Sequence, residues 1–454
     1  MINKSEYPCG SLCYRGEMLR AIGLDFGTTN SAVAFADAEA NVRTQRFHYE
    51  ANEFETFRSI LYFAAAEKGS GKRMLAYAGP EAIHHYLHSD HGGRLIQSIK
   101  SYLSNPSLRA TNLFGRNYRF EEIVAYLLRS LKASASPLLN DGPGKVVVGR
   151  PVRFVGSKNS ADDDFAISRL REALQLAGIH DVEFEFEPVA AAYSYEARLK
   201  QDELLLVGDF GGGTTDFTLI RVGPNARKLR SAKQRIVASA GLGLAGDAFD
   251  AKLVRHVVSP LLGHGSLCRL IGKTATMPNW PYTKLEHWHH LSFLKSKENM
   301  DALRSLRAQA IEPEKIESLI MLITEDLGFQ LHSAVQRTKF ELSSVTESTF
   351  RFEAPGIHIT QKVQRKDFEH WIAEELHSIT HKLDQLLNDA SLAPSAIDRV
   401  FLTGGSSFVP SVRAIFERRF GNDRISGGSE FTSVAQGLAL RALELQQRAH
   451  ARRR

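Results

Sequence analysis

The sequence predicts an α/β protein built from two related halves, and three observations support this. Two glycine-rich segments, 21–31 and 205–216, lie far apart but share one pattern: an apolar strand, Asp-Phe-Gly, a Gly/Thr turn and a second apolar strand. A third segment, 399–405, is an apolar strand that ends in two glycines, and Pro410 opens a helix after it. The chain has 454 residues, which is too long for one core and suits two large lobes.

Glycine and threonine in the two turns indicate phosphate binding. Glycine lacks a Cβ atom, so backbone N–H groups can approach an anion closely, and threonine hydroxyls add donors. Residues of this kind are Gly27, Thr28, Thr29 and Asn30 in the first turn, and Gly211, Gly212, Gly213, Thr214 and Thr215 in the second. Neither strand is followed by the P-loop pattern. On the residues alone, an ordinary hairpin with a glycine turn remains an alternative for each copy.

An aspartate ends the first strand of each segment, Asp25 in one and Asp209 in the other. A carboxylate repels phosphate unless a cation lies between the two charges. Mg²⁺ keeps several waters and is bound through one or two carboxylates plus substrate phosphates. The sequence therefore predicts that Asp25 and Asp209 hold a hydrated Mg²⁺ and that the two turns bind the phosphates of the same ligand.

Together the three segments resemble the phosphate-1, phosphate-2 and adenosine motifs of the actin/hexokinase/DnaK ATPase superfamily. Within it the chain most resembles DnaK-type heat-shock 70 kDa chaperones, over residues 21–445. Residues 187–193 are similar to that family's hinge, 98–103 to the segment with its catalytic lysine, and Lys339 with 342–344 to its adenine-side helix. The resemblance implies a two-lobed actin-like ATPase fold, in which each lobe is a mixed sheet flanked by helices, with smaller inserted subdomains.

The resemblance also implies catalytic roles. Lys100 would place a positive charge on the γ-phosphate, where negative charge spreads during phosphoryl transfer. Glu187 would orient a water near the phosphates, Asp216 would position the attacking water, and Thr214 would lie near the γ-phosphate beside Asp209. Without the resemblance, Lys100 reads as a solvated surface residue, Glu187 as a strand-end charge and Asp216 as a residue that closes the turn.

The adenine side departs from the family pattern. The residues that the resemblance assigns to the nucleoside are Gln336, Lys339, Phe340, Ser343, Gly404, Gly405, Ser406 and Phe408. Phe340 and Phe408 stand where the family has arginines, and Gln336 stands where a glutamate often contacts the ribose. Aromatic rings keep a stacking surface but remove charge. We therefore expect adenine affinity to be weaker or differently selective.

Domain boundaries follow from the resemblance and from the local pattern. The predicted parts are a leader without regular structure (1–20, with Met18 as an alternative start), lobe I (21–203, with an inserted subdomain at 49–118 and completed by a C-terminal helix at 430–450) and lobe II (204–429, with an inserted subdomain at 247–355). Apolar spacing predicts helices at 120–133, 166–177 and 368–387, a buried strand at 145–149, and a helix carrying Lys100.

DnaK-type chaperones continue into an apolar linker, a peptide-gripping β-sandwich and a helical lid. This sequence ends shortly after its last predicted helix, so it resembles the nucleotide-binding domain alone, as in the truncated YegD-like branch. The insertion at 261–329 holds Trp280 and Trp288 in a run that reads as a loop. We interpret it as a candidate partner surface, with packing against the lobe as the alternative.

Charge and composition exclude several classes. The 57 basic and 51 acidic residues leave a small excess, which does not argue for nucleic-acid binding. No stretch approaches the ~20 apolar residues of a membrane span, and the N-terminus lacks the apolar region of a secretory signal. The three cysteines lack the spacing of a disulfide framework, which favours a reducing compartment. We predict a cytoplasmic monomer with no nucleic-acid or membrane partner.

The sequence therefore predicts a chaperone-related protein that binds ATP and ADP with Mg²⁺, hydrolyses ATP slowly and acts on an unidentified protein partner or client. One alternative is a small-molecule kinase of the same superfamily, which would need an aspartate base for a hydroxyl acceptor. Another is an actin/MreB-like filament protein, which shares the phosphate motifs and a similar hinge. The large insertions and the Lys100 segment argue against a filament. A nucleotide sensor without hydrolysis is a third alternative.

Overall fold

The computed structural model describes residues 21–50, 52–66, 74–88, 93–135, 145–196, 199–229, 232–286, 291–426 and 432–453. The predicted leader and Trp288 lie outside these ranges. The chain divides into two compact units. Unit 1 comprises Met1–Gln201, Gly223–Ala232 and Phe431–Arg454, and unit 2 comprises Asp202–Val222 and Lys233–Glu430.

The strands and α-helices of the described residues follow in chain order. The strands are β1 (Ala21–Asp25), β2 (Asn30–Ala36), β3 (Val42–Thr44), β4 (Phe47–Tyr49), β5 (Asn52–Phe54), β6 (Phe57–Arg58), β7 (Ile60–Ala65), β8 (Met74–Ala78), β9 (Arg94–Gln97), β10 (Ala110–Leu113), β11 (Arg116–Arg119), β12 (Lys145–Arg150), β13 (Val182–Phe186), β14 (Glu203–Phe210), β15 (Thr215–Val222), β16 (Ile236–Leu242), β17 (Leu267–Leu270), β18 (Lys273–Thr276), β19 (Glu347–Ala354), β20 (Ile357–Gln364), β21 (Arg399–Thr403) and β22 (Ile425–Ser426). The helices are α1 (Gly79–Leu87), α2 (Phe120–Ser134), α3 (Ser160–Leu176), α4 (Glu187–Glu196), α5 (Gly246–Leu253), α6 (Trp280–Leu285), α7 (Leu291–Leu294), α8 (Lys297–Gln309), α9 (Pro313–Thr324), α10 (Gly328–Ser344), α11 (Arg365–Trp371), α12 (Ala373–Asp389), α13 (Pro410–Phe420) and α14 (Ser433–Arg453).

Unit 1 is organised around a mixed sheet in the order β13-β12-β1-β2-β3, with β6 also paired to β2. The strands β13, β12 and β1 run parallel, whereas β1 and β2 are antiparallel. Helix α14 packs against β1 so closely that a Cβ on Gly23 would lie 2.1 Å from the carbonyl oxygen of Ala435. A Cβ on Gly437 would lie 1.8 Å from the carbonyl oxygen of Ala190 in α4. Only glycine permits these two approaches.

A hydrophobic core of unit 1, in addition to the packing of α14 on β1, includes the buried faces of α2 and α3. The predicted helix at 120–133 is confirmed as α2, and the predicted strand at 145–149 as β12. The helix predicted at 166–177 begins earlier, at Ser160, because the Asn159 side chain accepts hydrogen bonds from the N–H groups of Ala161 and Asp162. This is an N-cap, which satisfies two otherwise unpaired donors of the first helical turn.

Unit 2 contains a mixed sheet in the order β16-β15-β14-β21-β22. The strands β14, β21 and β22 run parallel, and β15 is antiparallel to β14. Edge-to-face rings help fill its core, with the Phe210 centroid 6.0 Å from Phe217 and 5.9 Å from Phe416. These sheets, with helices packed on them, confirm the predicted α/β class.

Helices of unit 2 refine the sequence prediction. The helix predicted after Pro410 is confirmed as α13 and ends at Gly421, which has a positive φ of 83°. The prediction of one continuous helix at 368–387 is wrong, because Ile372, with a ψ of 10°, separates α11 from α12. Trp280, predicted in a loop, opens the short helix α6. No helix among the described residues has the length and apolar character that a bilayer crossing requires.

Candidate functional site

The carboxyl ends of three parallel strands form one edge of the unit 1 sheet. Carboxyl ends of adjacent parallel strands meet at the same edge, where α/β proteins bind ligands. Here β1 ends at Asp25, β12 at Arg150, and β13 leads directly into Glu187, the first residue of α4. A Cβ on Gly149 would lie 3.1 Å from Cγ of Glu187, so the glycine lets this side chain lie against β12.

The first glycine turn connects β1 to β2 at this edge. A Cβ on Gly27 would lie 2.0 Å from the carbonyl oxygen of Asn30, so this position requires glycine. The turn is braced from outside, because the Ser59 N–H donates to the Thr29 carbonyl oxygen at 2.9 Å. Thr28, Thr29 and Asn30 are half-buried. The turn thus places the predicted residues from Asp25 to Asn30 next to one another, and the hydrogen bond from Ser59 holds it in place.

Two predicted catalytic residues of unit 1 form an ion pair. Lys100 lies in a 3-10 helix, Ile99–Tyr102, rather than in the α-helix that the sequence predicted. Its Nζ donates to Oε1 of Glu187 at 2.7 Å, and the two side chains are 9% and 13% exposed. A buried ammonium is costly unless it is paired. The alternative of a solvated surface lysine is therefore wrong, and Lys100 is held in the unit 1 interior by Glu187.

Arg150 is a residue near this pair that sequence reasoning missed. Burial lowers the pKa of its guanidinium, and the carboxylates of Asp163, Asp164 and Glu187 offset part of that effect. The group still stays charged at neutral pH, because an arginine side chain is not deprotonated in proteins. Its guanidinium lies 4.8 Å from the ring centroid of Phe186. Glu187 therefore interacts electrostatically with a second cation, Arg150, besides Lys100. The sequence signal that could have identified Arg150 was its position as a charged residue directly after the predicted buried strand.

The second glycine turn follows β14 in unit 2. Asp209 and Asp216 are directly opposite each other in the antiparallel pair β14–β15. The Thr403 hydroxyl, at the end of the parallel strand β21, donates to Oδ1 of Asp209 at 2.9 Å. The Gly211 N–H donates to the Thr214 carbonyl oxygen at 2.9 Å and closes the turn. One edge of this sheet thus holds Asp209 and Asp216, the two aspartates of unit 2 that the sequence analysis assigned to the site.

The amino end of α5 braces this second turn. The N–H groups of Gly246 and Asp247 donate to the carbonyl oxygens of Gly211 at 3.3 Å and of Gly212 at 2.7 Å. Gly213 is exposed, and Thr214 is half-buried. Thr215 is fully buried, and its hydroxyl donates to the carbonyl oxygen of Leu244. The exposed part of the turn is therefore Gly213, flanked by the half-buried Gly212 and Thr214.

The predicted nucleoside residues on α10 meet a buried carboxylate that sequence reasoning missed. Nζ of Lys339 lies 2.7 Å from Oδ1 of Asp250, although without the geometry of a directed hydrogen bond, and donates to the Gly246 carbonyl oxygen at 3.3 Å. Nε2 of Gln336 donates to Oδ2 of Asp250 at 3.5 Å. Asp250 is 0% exposed. Lys339 therefore connects α10 to α5 and, through Gly246, to the second turn.

The remaining predicted nucleoside residues differ in exposure. Phe340 is 65% exposed, and Phe408 also presents part of its ring at the surface. Phe408 ends a 3-10 helix, Gly405–Phe408, whereas Ser406 within it is buried. Gly404 has a φ of 82°, and a Cβ there would lie 2.2 Å from the Phe210 carbonyl oxygen. Ser343 uses its hydroxyl on the carbonyl oxygen of Lys339. The two exposed rings suit stacking on a planar base.

Metal binding by these residues depends on the kind of metal. Among the described residues, no group of three or more His, Cys, Asp or Glu side chains is placed to hold a metal ion. Hydrated Mg²⁺ needs only one or two carboxylates, because phosphate oxygens and waters supply the other ligands. Asp25 in unit 1 and Asp209 in unit 2 each lie near a strand end beside a glycine turn, so each unit offers one carboxylate of this kind.

Comparisons with known proteins agree with this arrangement. A family model described as Hsp70 protein matches residues 96–263 and 320–452, together more than half of the chain. The chain is also 26% identical, over 445 residues, to the chaperone protein DnaK of Thermosipho africanus (strain TCF52B). That match covers 97% of this chain and 60% of the DnaK protein, so the chain spans less than two thirds of this relative's length.

Proposed function

Because the chain belongs to the Hsp70 family and has its actin-like ATPase fold, we propose that it binds ATP and ADP with Mg²⁺ and hydrolyses ATP slowly. The observation that carries this proposal is the buried pair of Lys100 and Glu187, 2.7 Å apart. A lysine in this environment is a fixed positive charge, and phosphoryl transfer is accelerated mainly by fixed charges and positioning. Family membership supports nucleotide binding, and the ion pair supports hydrolysis.

Residues of unit 1 would act on the phosphates. Lys100 would stabilise the negative charge that develops on the γ-phosphate, and Glu187 would hold the ammonium and orient a water. Gly27 lets the backbone of the first turn approach a phosphate without a side chain between them. Thr28 and Thr29 would donate from their hydroxyls. Asp25 would bind Mg²⁺ through water.

Residues of unit 2 would act on the same group of ligand atoms. Asp209, fixed by the Thr403 hydroxyl, would be the second carboxylate for Mg²⁺. The ion, when bound, neutralises charge on the phosphate oxygens. Asp216 would accept a hydrogen bond from the attacking water and so orient it. The N–H groups of Gly212 and Gly213 and the Thr214 hydroxyl would donate to phosphate oxygens.

The nucleoside would lie against α10 and the 3-10 helix that follows Gly404. Phe340 and Phe408 would stack on the base, Lys339 and Ser343 would lie on the adenine side, and Gln336 would contact the ribose. Rings do not supply the charged donors of arginine, so we propose weaker or less selective adenine binding than in chaperones with arginines there.

The biological role that we propose is chaperone-related, in the cytoplasm, with a protein partner or client that responds to the bound nucleotide. A ligand changes such a response only through different affinities for two conformations. The inserted region of unit 2 that includes α6 to α9 is our candidate for contacting the partner. It presents exposed apolar side chains such as Ile271 and Ile311.

Two measurements test the proposal. Calorimetry of ATP and ADP, with and without Mg²⁺, should show binding of both nucleotides and tighter binding of ATP with the ion. A steady-state phosphate-release assay without any added acceptor should show turnover far below the ~10 s⁻¹ that is typical of enzymes. Absence of binding heat for both nucleotides would refute the proposal. Turnover only with an added hydroxyl acceptor would identify a kinase, and ATP-dependent sedimentation would identify a filament protein.

A further inference from the structure

We infer that Arg169 is a positioning residue for Lys100 and acts through the backbone that follows the lysine. Arg169 lies in α3 and is 5% exposed. Its guanidinium donates to four backbone carbonyl oxygens, those of Tyr102 (3.4 Å), Leu103 (3.3 Å), Asn105 (3.0 Å) and Leu108 (2.7 Å). Tyr102 is the last residue of the 3-10 turn that carries Lys100, and the other three residues lie in the segment that follows it directly.

This segment has little regular structure of its own. The 3-10 helix Ile99–Tyr102 is a single turn, and the chain then continues through turns closed by N–H bonds such as Asn105 to Tyr102 and Leu108 to Asn105. Short 3-10 pieces have poor hydrogen-bond geometry, and their last carbonyl groups lack helical partners. Buried carbonyl groups left without partners are costly. The carbonyl oxygens of Tyr102 and Asn105 already accept from backbone N–H groups, so Arg169 adds a second donor to each of them. Arg169 also donates to the carbonyl oxygens of Leu103 and Leu108. One planar guanidinium makes all four contacts, which a lysine cannot do.

The guanidinium is itself fixed in place. Nε of Arg169 donates to Oε1 of Glu121, a largely buried carboxylate on α2, at 2.5 Å. The guanidinium carbon lies 4.1 Å from the ring centroid of Phe120 and 5.3 Å from that of Phe165. The Lys100 segment is therefore held at two points, at its ammonium by Glu187 and at its backbone by Arg169.

The consequence for turnover rests on the proposed function. If Lys100 stabilises charge on the γ-phosphate, a loosened segment misplaces its ammonium, and small misplacements of a catalytic group are costly. Nucleotide binding relies on the glycine turns and the nucleoside residues, which Arg169 does not contact. Loss of Arg169 should therefore lower kcat and leave the nucleotide Kd unchanged. A general structural role would change both.

The test compares Arg169→Lys and Arg169→Gln with Arg129→Gln as the matched control. Arg129 is an exposed arginine of α2 whose guanidinium donates to the Leu176 carbonyl oxygen, outside the Lys100 segment. The first readout is the rate at which an amine-reactive reagent labels Lys100 in the folded protein, measured by peptide mass spectrometry without nucleotide. Both Arg169 variants should raise that rate by about tenfold, the effect of losing hydrogen bonds from a charged donor. The reference lysine Lys145 should keep its rate.

The second readout is kinetic. Each Arg169 variant should lower kcat by about tenfold to a hundredfold with the nucleotide Kd unchanged. Adding Arg169→Gln to Lys100→Ala should cause no loss beyond that of Lys100→Ala alone, because residues that act through one group are not additive. Should Arg169→Gln fail to fold, Glu121→Gln removes only the counter-ion and should raise Lys100 labelling in the same direction by a smaller factor.

Unchanged labelling of Lys100 in the folded variants would overturn the inference, as would equal losses in kcat and in nucleotide affinity. Failure of the proposed function gives a different result. In that case the wild-type protein shows no ATP turnover, and the labelling rates still decide whether Arg169 positions Lys100.

Discussion

Each unit contains a buried lysine–carboxylate pair, but the two carboxylates differ in their surroundings. The N–O distance is 2.7 Å both for Lys100 with Glu187 in unit 1 and for Lys339 with Asp250 in unit 2. Glu187 keeps 13% of its side-chain exposure, whereas Asp250 keeps none and also lies 3.7 Å from Nε2 of His332. The exposed fraction of Glu187 is consistent with the water-orienting role that we propose for it. The complete burial of Asp250 indicates support for α5, α10 and the second turn.

The two glycine turns differ in a similar way. The first turn is tight within itself, since Gly27 closely approaches the carbonyl oxygen of Asn30. The second turn leaves space at Gly213, where the nearest atom to a built Cβ is Oδ2 of Asp247 at 3.8 Å. The same sequence motif thus requires glycine for the fold in one unit, and we propose that it requires glycine for the ligand in the other.

The largest expected effect is on stability and distinguishes the two ion pairs. Asp250→Ala leaves the ammonium of Lys339 without its buried counter-ion, and breaking such a pair costs about 3–5 kcal/mol. The control Asp384→Ala removes a more exposed pair with Arg419 in the same unit and should cost at most about 1 kcal/mol. Calorimetric unfolding of both variants measures the difference. Equal losses would mean that the burial of Asp250 has no energetic role.

The next effect compares the turns. Gly27→Ala forces a Cβ against the backbone and should cost about 1–3 kcal/mol of stability. Gly213→Ala should change stability by no more than about 0.5 kcal/mol. It should still weaken ATP binding, because its Cβ would stand between the backbone and the phosphate that we propose binds there. Thermal unfolding and ATP calorimetry on both variants provide the check. A Gly213→Ala protein that binds ATP as the wild type does would exclude phosphate contact at that turn.

A smaller effect concerns Asp209, the carboxylate of unit 2 that we propose binds Mg²⁺. Thr403→Val removes the hydroxyl that donates to Asp209, which is worth about 1 kcal/mol. The Mg²⁺ concentration that gives half of the maximal ATP affinity should therefore rise about fivefold. Thr338→Val is the control, because that buried hydroxyl donates to the helical carbonyl oxygen of Ala334 instead. A shift of the same size in both variants would contradict the role of Asp209.

The smallest effect is a pH dependence of unit 1. Burial alone raises the pKa of Glu444, but hydrogen bonds from Tyr193 and Arg441 outweigh it and hold that pKa below its ordinary value of 4.5. Because the folded-state pKa is the lower one, this carboxylate stabilises the fold above pH ~4.5, and the contribution is lost as the pH falls through the folded-state value. Glu444→Gln should flatten the unfolding temperature profile in that acidic range. Glu39→Gln, an exposed control, should leave the profile unchanged.

Much of the fold was predictable because it depends on local signals. Apolar runs bounded by glycines predicted the strands that carry Asp25 and Asp209, and Pro410 predicted the start of α13. The interruption at Ile372 was not predictable, since the apolar spacing continues through it. Nor was the 3-10 geometry around Lys100, whose neighbouring carbonyl groups accept from Arg169 of the distant helix α3.

The supporting residues of the site could not be found from the sequence. Asp250, Arg150 and Arg169 are charged residues of types that are frequent on strands and helices, and none of them belongs to a recognisable sequence motif. Their roles depend on partners that approach only in the folded chain, such as the pairing of Asp250 with Lys339 and of Arg169 with Glu121. The resemblance to DnaK-type chaperones named Lys100 and Glu187, and the structure shows them in contact.

ATP turnover by Lys100→Ala, measured together with nucleotide affinity, tests the central claim most directly. We predict that this variant binds ATP and ADP with Mg²⁺ as the wild type does but releases no phosphate. Lys145→Ala, which removes an ion-paired lysine from the start of β12, should keep both nucleotide binding and phosphate release. Unchanged phosphate release by Lys100→Ala would contradict the assignment of the buried lysine to catalysis.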